Sequence, residues 1–308
     1  MKLIRELTGL PDGLRGGALT IGNFDGVHLG HARLIERLVA RARAVAGPSV
    51  VFTFDPHPVR LLRPERAPWP LTWTERKARL LQQLGVDWII AYPTDEALLA
   101  LSDRDFFQQI VRDKLAARAM VEGPNFFFGH NRTGTIDVLR KLTSAAGMEL
   151  DVVDPVAIDG AIVSSSLVRE LIAGGKVDEA RRLLTEPYRI RGIVRHGAGR
   201  GARIGFPTAN LAGIDTLLPA AGVYAGHAFI DGQRWAAAIN VGANPTFGEQ
   251  DLKVEVHLID FHRAIYGEPL EVDFLSRLRD VRPFGGVEEL KQQLARDVEA
   301  AKGVADPT

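Results

Sequence analysis

A ten-residue string near the amino terminus has the composition of a phosphate site. Residues 22–31 read G-N-F-D-G-V-H-L-G-H and follow the apolar run Ala18–Ile21. A strand-to-helix turn gathers backbone N–H groups and the positive end of the helix dipole, and glycines there let a polyphosphate approach closely. His28 and His31 are three apart, which predicts that they share one face of the first helical turn. Their imidazoles could donate hydrogen bonds to phosphoryl oxygens, as nucleotidyl transfer without a protein nucleophile requires.

Two other interpretations of these histidines remain open. They could be incidental side chains on a capped helix, or a zinc pair completed by His57. The string differs from the G-x-G-x-x-G dinucleotide fingerprint, and residues 174–177 (G-G-K-V) lack the glycine and hydroxyl residue of a P-loop.

Two further polar segments are expected at the same edge of a sheet. Residues 54–58 read F-D-P-H-P, where the prolines fix a rigid loop that would place His57 near the first helix. Residues 163–169 read V-S-S-S-L-V-R, with hydroxyls at a helix start and Arg169 one turn later. Capping alone would explain the serines, whereas the arginine favours phosphate binding.

An aromatic loop could receive a flat ligand. Residues 123–129 read G-P-N-F-F-F-G, with glycines on both sides of three phenylalanines. Consecutive phenylalanines are usually part of a core, but the flanking glycines indicate a loop on which a planar heterocycle would stack.

A second run of small and basic residues begins at residue 195. Residues 195–210 read R-H-G-A-G-R-G-A-R-I-G-F-P-T-A-N. Such a run can wrap N–H groups and guanidinium groups around phosphates, although flexible loops and RNA-binding tails have similar composition. Thr208 and Asn210 are two apart on an extended segment, so both side chains can reach Mg²⁺.

Glu255 is a carboxylate within an alternating apolar strand pattern, residues 254–260. If its side chain faces inward, a buried carboxylate there would need a function. The alternative is an ordinary outward-facing glutamate, because Lys253 and His257 share its face.

Alternating elements predict how the first group of motifs is positioned. Helical periodicity is present over residues 34–45 and 106–115, and Ser102 is the expected cap of the second stretch. These helical stretches separate short strand patterns. The strand candidates are residues 18–21, 50–54, 88–92, 119–121 and 150–153. This order predicts a doubly wound, Rossmann-like α/β domain that binds ligands beyond the carboxyl ends of its strands.

The second half has a different pattern. Helical stretches at residues 166–173 and 177–184 precede short strand-like runs, which predict a β-barrel. Those runs are residues 189–194, 223–230, 235–241 and 254–260. A closing helix after Phe284 should pack against the barrel through Val287, Leu290, Leu294, Val298 and Ala301. We predict domains at residues 1–185 and 186–308, with a frayed tail from residue 303.

Composition limits the class of partner. The 308 residues contain 38 Lys plus Arg and 38 Asp plus Glu, so there is no bulk basic field to recruit nucleic acid or anionic membrane. The absence of cysteine excludes disulfides, thiolate zinc sites and cysteine nucleophiles. The start lacks a signal-peptide pattern, and no apolar stretch approaches about 18 residues. We expect a cytoplasmic protein with small-molecule partners, no nucleic acid and no membrane; a homo-oligomer remains open.

The motifs of both halves resemble one family. The four segments of the first half resemble the FMN adenylyltransferase module of prokaryotic bifunctional riboflavin kinase/FAD synthetases. The strings P-T-A-N and residues 219–226, 240–247 and 254–261 resemble riboflavin kinase. The resemblance extends from about residue 20 to the closing helix, and it implies ATP as co-substrate, Mg²⁺ as cofactor, and riboflavin, FMN and FAD as substrates or products.

The resemblance also implies residue roles. His28, His31, Ser165 and Arg169 would position the α-phosphate of ATP, Glu255 would be the base toward the ribityl hydroxyl, and Thr208 with Asn210 would bind Mg²⁺. The ATP-binding residues would be Gly22, Asn23, Phe24, Gly30, His57, Ser164, Ser165, Gly199, Arg203, Gly205, Thr208 and Asn210. The flavin-binding residues would be Asn125, Phe126 and Phe128. Phe127 stands where family members often have a polar residue.

Three competing functions follow from the same residues. One is an adenylyltransferase whose kinase-like half only binds flavin. Another is a non-enzymatic RNA-binding protein that uses the Gly/Arg run, against which the neutral net charge argues. The last is a nucleotidyltransferase with a different acceptor, such as a cytidylyl-type enzyme.

Overall fold

The computed structural model describes residues 2–242 and 253–305, and its internal contacts divide the chain into two units. The first unit comprises residues 1–68 and 73–164, and the second comprises residues 69–72 and 165–308. The domain limits predicted at residues 1–185 and 186–308 stay a prediction.

A six-stranded parallel sheet forms the centre of the first unit. Its strands are β1 (Leu3–Ile4), β2 (Ala18–Ile21), β3 (Ser49–Asp55), β4 (Trp88–Pro93), β5 (Ala119–Glu122) and β6 (Glu149–Val152). The spatial order is β1-β4-β3-β2-β5-β6, so the direction of winding reverses between β2 and β5. Ligands of such sheets bind at this reversal, beyond the carboxyl ends of the strands. The predicted doubly wound fold is confirmed.

The helices of the first unit connect successive strands. They are α1 (Leu29–Ala44), α2 (Val59–Leu62), α3 (Thr74–Gln83), α4 (Glu96–Ala100), α5 (Asp103–Phe106) and α6 (Ile136–Ala145). The predicted cap is confirmed, because the Ser102 side chain accepts from the Asp105 N–H at 3.1 Å. Beyond α5 the helix widens into a π-helical stretch, Phe107–Lys114. A short hairpin of β7 (Ala157–Ile158) and β8 (Ala161–Ile162) ends the unit.

Both faces of the sheet are covered by apolar packing. Leu19 and Phe52 belong to one buried cluster, and Ala18 and Val51 belong to another. Successive strand residues point to opposite faces, so strands that are apolar at consecutive positions require a core on each side.

A closed antiparallel barrel forms the second unit, preceded by α7 (Ser165–Ala173) and α8 (Val177–Leu183). Its strands are β9 (Tyr188–Arg195), β10 (Ala209–Ala212), β11 (Gly222–Ile230), β12 (Gln233–Gly242), β13 (Lys253–Leu258) and β14 (Pro269–Arg279), in the order β10-β13-β12-β11-β14-β9. One turn of helix, α9 (Arg200–Arg203), interrupts the Gly/Arg run. The chain continues into α10 (Val287–Ala305). The predicted barrel and closing helix are confirmed.

The end of α10 corrects one expectation. Fraying was expected from residue 303, but the helix continues to Ala305, which is buried and whose carbonyl lies 3.1 Å from His227 Nε2. Residues 306–308, and the part of the 240–247 string beyond residue 242, lie outside the described residues. Within residues 2–242 and 253–305, no helix is long and apolar enough to cross a membrane.

Candidate active sites

The two motif histidines meet at the start of α1, after the β2–α1 loop (residues 22–28). His28 is the N-cap of α1, and its Nδ1 accepts a hydrogen bond from the His31 N–H at 3.3 Å. It therefore precedes the helix, whereas the sequence predicted both histidines within the first turn. Their rings nonetheless stack, with centroids 3.6 Å apart and planes inclined by 18°.

Gly30 makes this stacking possible. A Cβ built at residue 30 would lie 3.1 Å from the His28 ring and 3.3 Å from the Val163 carbonyl oxygen. Such distances are tighter than ordinary contacts, so a larger residue would displace the ring. At this glycine the structure shows the close approach of the His28 ring, and the close approach of a phosphate stays a prediction.

His31 is held in its neutral form. Burial is the main cause that lowers the pKa of His31 well below its usual range, and the neighbouring His28 and Lys77 lower it further. The His31 Nδ1 atom is buried and has no hydrogen-bond partner among the described residues. A neutral imidazole can donate a hydrogen bond from one nitrogen without first losing a proton.

Sequence reasoning missed the charged residues close to this loop. Asp25 and Lys77 are both almost fully buried. Burial lowers the pKa of Lys77, and the attraction of Asp25 and Asp55 opposes that effect. Asp55 also accepts hydrogen bonds from Thr74 Oγ1 at 2.7 Å and from Arg5 Nη1 at 3.0 Å. Asp25 lies inside the recognised string, but nothing in the periodicity of α3 distinguishes Lys77 from a surface lysine.

A cavity of about 660 Å³ opens beside the end of β2. Gly22, Asn23 and His57 line it together with the predicted flavin residues Asn125, Phe126 and Phe128. His57 Nδ1 accepts from the Val59 N–H at 3.1 Å, which fixes its ring at the start of α2. His28 and His31 do not line this cavity. No group of three His, Asp or Glu among the described residues could hold a metal ion, so the zinc interpretation lacks a third ligand.

The three phenylalanines occupy different environments. The rings of Phe126 and Phe128 stack at 5.4 Å, and Phe128 is only 7% exposed because it also packs into the core beside Phe106. Phe127 is 43% exposed and carries the Arg132 guanidinium 4.4 Å above its ring. The core interpretation is thus confirmed for Phe128, Phe127 lies exposed on the loop, and the stacking of a planar ligand stays a prediction.

The serine–arginine string spans the division between the units. Ser164 belongs to the first unit, whereas Ser165 is the first residue of α7 in the second. Arg169 lies one turn into α7, as predicted, and its Nε donates to the Trp69 carbonyl at 3.1 Å.

A second cavity, of about 380 Å³, collects the motif residues of the barrel unit. Its lining includes Gly199, Arg203, Thr208, Asn210 and Glu255, whereas Gly205 lies outside it. Asn210 on β10 is directly opposite Glu255 on the neighbouring β13. The sheet register therefore brings together the amide and the carboxylate, which are 45 positions apart in the sequence.

Glu255 faces outward from the barrel, which is the second of the two orientations considered from the sequence. Its strand neighbours Val254 and Val256 fill the interior, while Glu255 shares the outer face with Lys253 and His257. That face is a wall of the cavity, so an outward carboxylate still reaches an enclosed space. His257 Nδ1 donates to the Pro207 carbonyl at 2.7 Å and thereby secures the segment that ends in Thr208.

The opposite wall comes from α10. Four of the apolar positions predicted to pack on the barrel line the cavity: Val287, Leu290, Leu294 and Val298, of which Val298 also packs against the cluster of Ala225 and Ile259. Ala301 packs against Ala225 and Ile259, as predicted. Asp297, on the same helix, accepts from Arg279 Nη2 at 2.7 Å and from Arg279 Nε at 3.0 Å.

Comparisons with known proteins match both halves of the chain. The FAD synthetase family model matches residues 11–167, and the riboflavin kinase model matches residues 184–305. The bifunctional riboflavin kinase/FMN adenylyltransferase of Pseudomonas fluorescens is 38% identical over 100% of this chain and 99% of its own length. Proteins of the same description from Escherichia coli K12 and Bacillus subtilis 168 are each 34% identical, over 96% and 92% of this chain and 96% and 90% of their own lengths.

One solved structure is similar along nearly the whole chain. It is described as a macrolide-efflux protein from Streptococcus pneumoniae, is 32% identical, and superposes with a TM-score of 0.87 over 97% of this chain and 98% of its own. Its description differs from that of the curated relatives, all of which carry the two flavin-related activities in their names. The two family models and the full-length relatives agree, and the chain therefore belongs to the family of bifunctional riboflavin kinase/FMN adenylyltransferases.

Proposed function

We propose an assignment of residues to the two reactions of this bifunctional enzyme of FAD biosynthesis. The chain phosphorylates riboflavin with ATP to give FMN and ADP, and it adenylylates FMN with ATP to give FAD and pyrophosphate. The observation that carries the assignment is the position of the motif residues within each unit: those of the β2–α1 loop follow the carboxyl end of β2, and those of the barrel, apart from Gly205, line one cavity.

Adenylyl transfer is assigned to the β2–α1 loop and its surroundings. An oxygen of the FMN phosphate attacks the α-phosphorus of ATP, and the bond to the departing pyrophosphate breaks. Because His28 Nδ1 accepts from the His31 N–H, the proton of a neutral His28 is at Nε2, where it can donate to a phosphoryl oxygen. His31 is the second donor in this proposal. Donors fixed before the reaction stabilise the developing charge without reorganising.

The remaining residues of the first reaction have supporting roles. Gly22, Asn23, Phe24 and Gly30 would shape the ATP site, and Ser164, Ser165 and Arg169 would bind its phosphates. His57, which the resemblance assigns to ATP, lies in the same cavity as the predicted flavin residues. We therefore extend its role to the boundary between nucleotide and flavin. Asn125 and Phe126 offer the flavin an amide and an aromatic face, as the stacked ring pair supports.

Phosphoryl transfer is assigned to the barrel cavity. Glu255 would take the proton from the ribityl hydroxyl as that oxygen attacks the γ-phosphorus of ATP, and ADP would leave. Gly199 and Arg203 would contact the nucleotide, with Gly205 allowing the turn between them and β10. The positive φ of Gly205, 92°, is accessible to glycine at little cost.

Mg²⁺ fits the donor set of this cavity. Thr208 and Asn210 supply oxygens on one lining surface, and the described residues contain no group of three His, Asp or Glu that could bind an ion alone. Mg²⁺ ordinarily takes one or two protein ligands together with substrate phosphates and water. When bound, it would neutralise charge on the phosphates.

We also propose that partners are restricted to small molecules, with no nucleic acid or membrane, and that a cytoplasmic location suits a cysteine-free chain.

Product analysis tests the assignment of both activities. The whole chain is incubated with riboflavin, ATP and Mg²⁺, and products are separated by chromatography at several times. We expect FMN to appear first and FAD to follow. Unchanged riboflavin together with conversion of supplied FMN would mean that the barrel only binds flavin. A salt-sensitive shift of RNA without flavin turnover would favour the RNA-binding alternative.

A further inference from the structure

The strand β2 loses one of its two backbone neighbours before it ends. It pairs with β3 along all four residues, Ala18–Ile21, but its register with β5 covers Ala18 and Leu19. Beyond this point the Gly22 N–H still donates to the Phe52 carbonyl of β3 at 3.0 Å. On the β5 side the backbone ladder has ended, at the place where the sheet order reverses.

A side chain replaces the missing backbone acceptor. Glu122, the last residue of β5, is 2% exposed, and its Oε1 accepts from the Ile21 N–H at 2.8 Å. A buried N–H without a partner costs about 1 to 3 kcal/mol, so this bond holds the end of β2 in place. Burial raises the pKa of Glu122 well above its usual range, and the hydrogen bond from Ile21 opposes this only in part. No cation is among the causes that shift it.

The segment that follows Ile21 needs such support because its backbone is strained. Phe24 has a φ of 46° and Val27 a φ of 41°, values that bulky and β-branched residues rarely adopt. Each costs on the order of 1 to 3 kcal/mol and persists when the surroundings impose it. From the β3 side, Thr53 Oγ1 donates to the Asn23 carbonyl at 3.1 Å. Glu122 supplies the corresponding constraint from the β5 side.

We propose that Glu122 is a positioning residue for adenylyl transfer, whose carboxyl oxygen fixes the end of β2 and thereby the β2–α1 loop that carries His28. It acts as a hydrogen-bond acceptor and not as a negative charge. This inference rests on the proposed assignment of adenylyl transfer to that loop. Neither the family motifs recognised in the sequence nor the lining of the cavity beside β2 includes Glu122, which is buried at the end of β5.

Two substitutions separate the acceptor from the charge. Glu122→Gln keeps an acceptor oxygen and the size of the side chain, whereas Glu122→Leu keeps the volume approximately and removes the acceptor. Thr143→Val is the matched control, since Thr143 is an equally buried polar residue on α6 whose hydroxyl bonds the Leu139 carbonyl at 2.9 Å. For each, kcat and the KM for ATP are measured with supplied FMN, and riboflavin phosphorylation is measured in the same preparation.

We expect Glu122→Gln and Thr143→Val to make FAD within about 3-fold of the original rate, and Glu122→Leu to lose about 10²-fold in kcat, as a misplacement of about 1 Å can produce. Riboflavin phosphorylation should be unchanged in all three. Loss of activity in Glu122→Gln equal to that in Glu122→Leu would overturn the proposal, because charge would then be required. Full activity in Glu122→Leu would overturn it as well.

Folding and the assigned function are checked separately. A thermal melt shows whether Glu122→Leu folds. If it does not, Glu122→Gln and Thr53→Val test the proposal. Glu122→Gln must retain activity, and Thr53→Val, which removes the hydrogen bond from the β3 side, should lower kcat. If the original chain makes no FAD from FMN, the proposed function fails, and that result is distinct from any effect of the substitutions.

Discussion

His28 and His31 lie side by side at the start of α1, but different contacts hold their rings. His28 caps α1 through Nδ1, so the position of its proton is fixed by the backbone. His31 is kept neutral mainly by burial, and its Nδ1 atom has no partner in the described part of the chain. A buried polar atom without a partner is costly, and in the proposed assignment the His31 ring interacts with a phosphoryl oxygen of ATP.

Substitution of His31 by alanine should therefore reduce FAD formation from FMN by about 10² to 10³-fold, the usual loss when one fixed transition-state donor is removed. Riboflavin phosphorylation should persist, since its residues belong to the barrel cavity. His262→Ala is the control, because His262 is exposed on the second unit. An unaffected FAD rate, accompanied by loss of bound zinc, would instead support the metal interpretation.

The raised pKa of Glu122 has a consequence for stability. Between the ordinary pKa of a glutamate, about 4.3, and the raised value, the folded chain keeps a proton that the unfolded chain has released. Stability therefore falls as pH rises through that window, by up to about 1.4 kcal/mol per pH unit. Glu122→Gln cannot lose a proton, so its melting temperature relative to the original chain should increase from about pH 5 to about pH 8.

The measurement compares thermal melts of the two proteins at each pH. His31 has the opposite linkage, because its pKa is lowered on folding and its contribution is lost as pH falls. That contribution is present in both proteins and cancels in the difference. A difference that does not change with pH would mean that Glu122 is ionised in the folded chain.

At the scale of helices and strands, periodicity predicted the sheet, the barrel and the closing helix, because those elements bury regular apolar positions. It did not find β1, because a strand of two residues is too short to show a pattern. It also did not find the π-helical stretch after Phe106, because the apolar residues there have the sequence spacing of an ordinary α-helix. It left the orientation of Glu255 open, because alternation along β13 shows which face is polar but not that another element covers that face. The shifted pKa of Lys77 and the hydrogen bond of Glu122 depend on contacts between residues that are distant in the sequence, and a local sequence pattern does not contain such contacts.

The helix α10 is fixed to the barrel by a nearly buried ion pair. The Arg279 and Asp297 side chains are 20% and 5% exposed, and the Gln293 amide donates to Asp297 Oδ1 at 2.9 Å. Breaking a buried pair by removing one partner typically costs about 3 to 5 kcal/mol, because the other charge remains buried. Asp297→Ala should cost about 3 kcal/mol of unfolding free energy and raise the KM for riboflavin, since α10 forms one wall of the cavity.

Urea unfolding and riboflavin kinetics measure these two effects. Glu179→Ala, on α8, is the control, because its pair with Lys176 is 54% and 60% exposed and should contribute less than about 1 kcal/mol. FAD formation from supplied FMN should be normal in both variants. A riboflavin KM unchanged in a destabilised Asp297→Ala would show that the pair stabilises the unit without shaping its cavity.

At the scale of the whole molecule, each unit has its own core and its own cavity. FMN is the product of the reaction assigned to one unit and a substrate of the reaction assigned to the other. Substitutions in one cavity should therefore affect one reaction when the starting flavin is chosen to bypass the other. The two-domain organisation was predictable from the change of pattern along the chain, whereas the pairing of Asn210 with Glu255 required the barrel register.

We expect one chain to perform two separable reactions, with Glu255 as the base of only one of them, and Glu255→Gln tests this claim. Gln keeps the size of the side chain but cannot accept the proton from the ribityl hydroxyl. Chromatography should show riboflavin phosphorylation reduced by about 10² to 10⁴-fold, while supplied FMN becomes FAD at the normal rate. Glu299→Gln, at an exposed position of α10, should leave both rates unchanged. Normal riboflavin phosphorylation by Glu255→Gln, or equal loss of both reactions in a variant with an unchanged thermal melt, would contradict the claim.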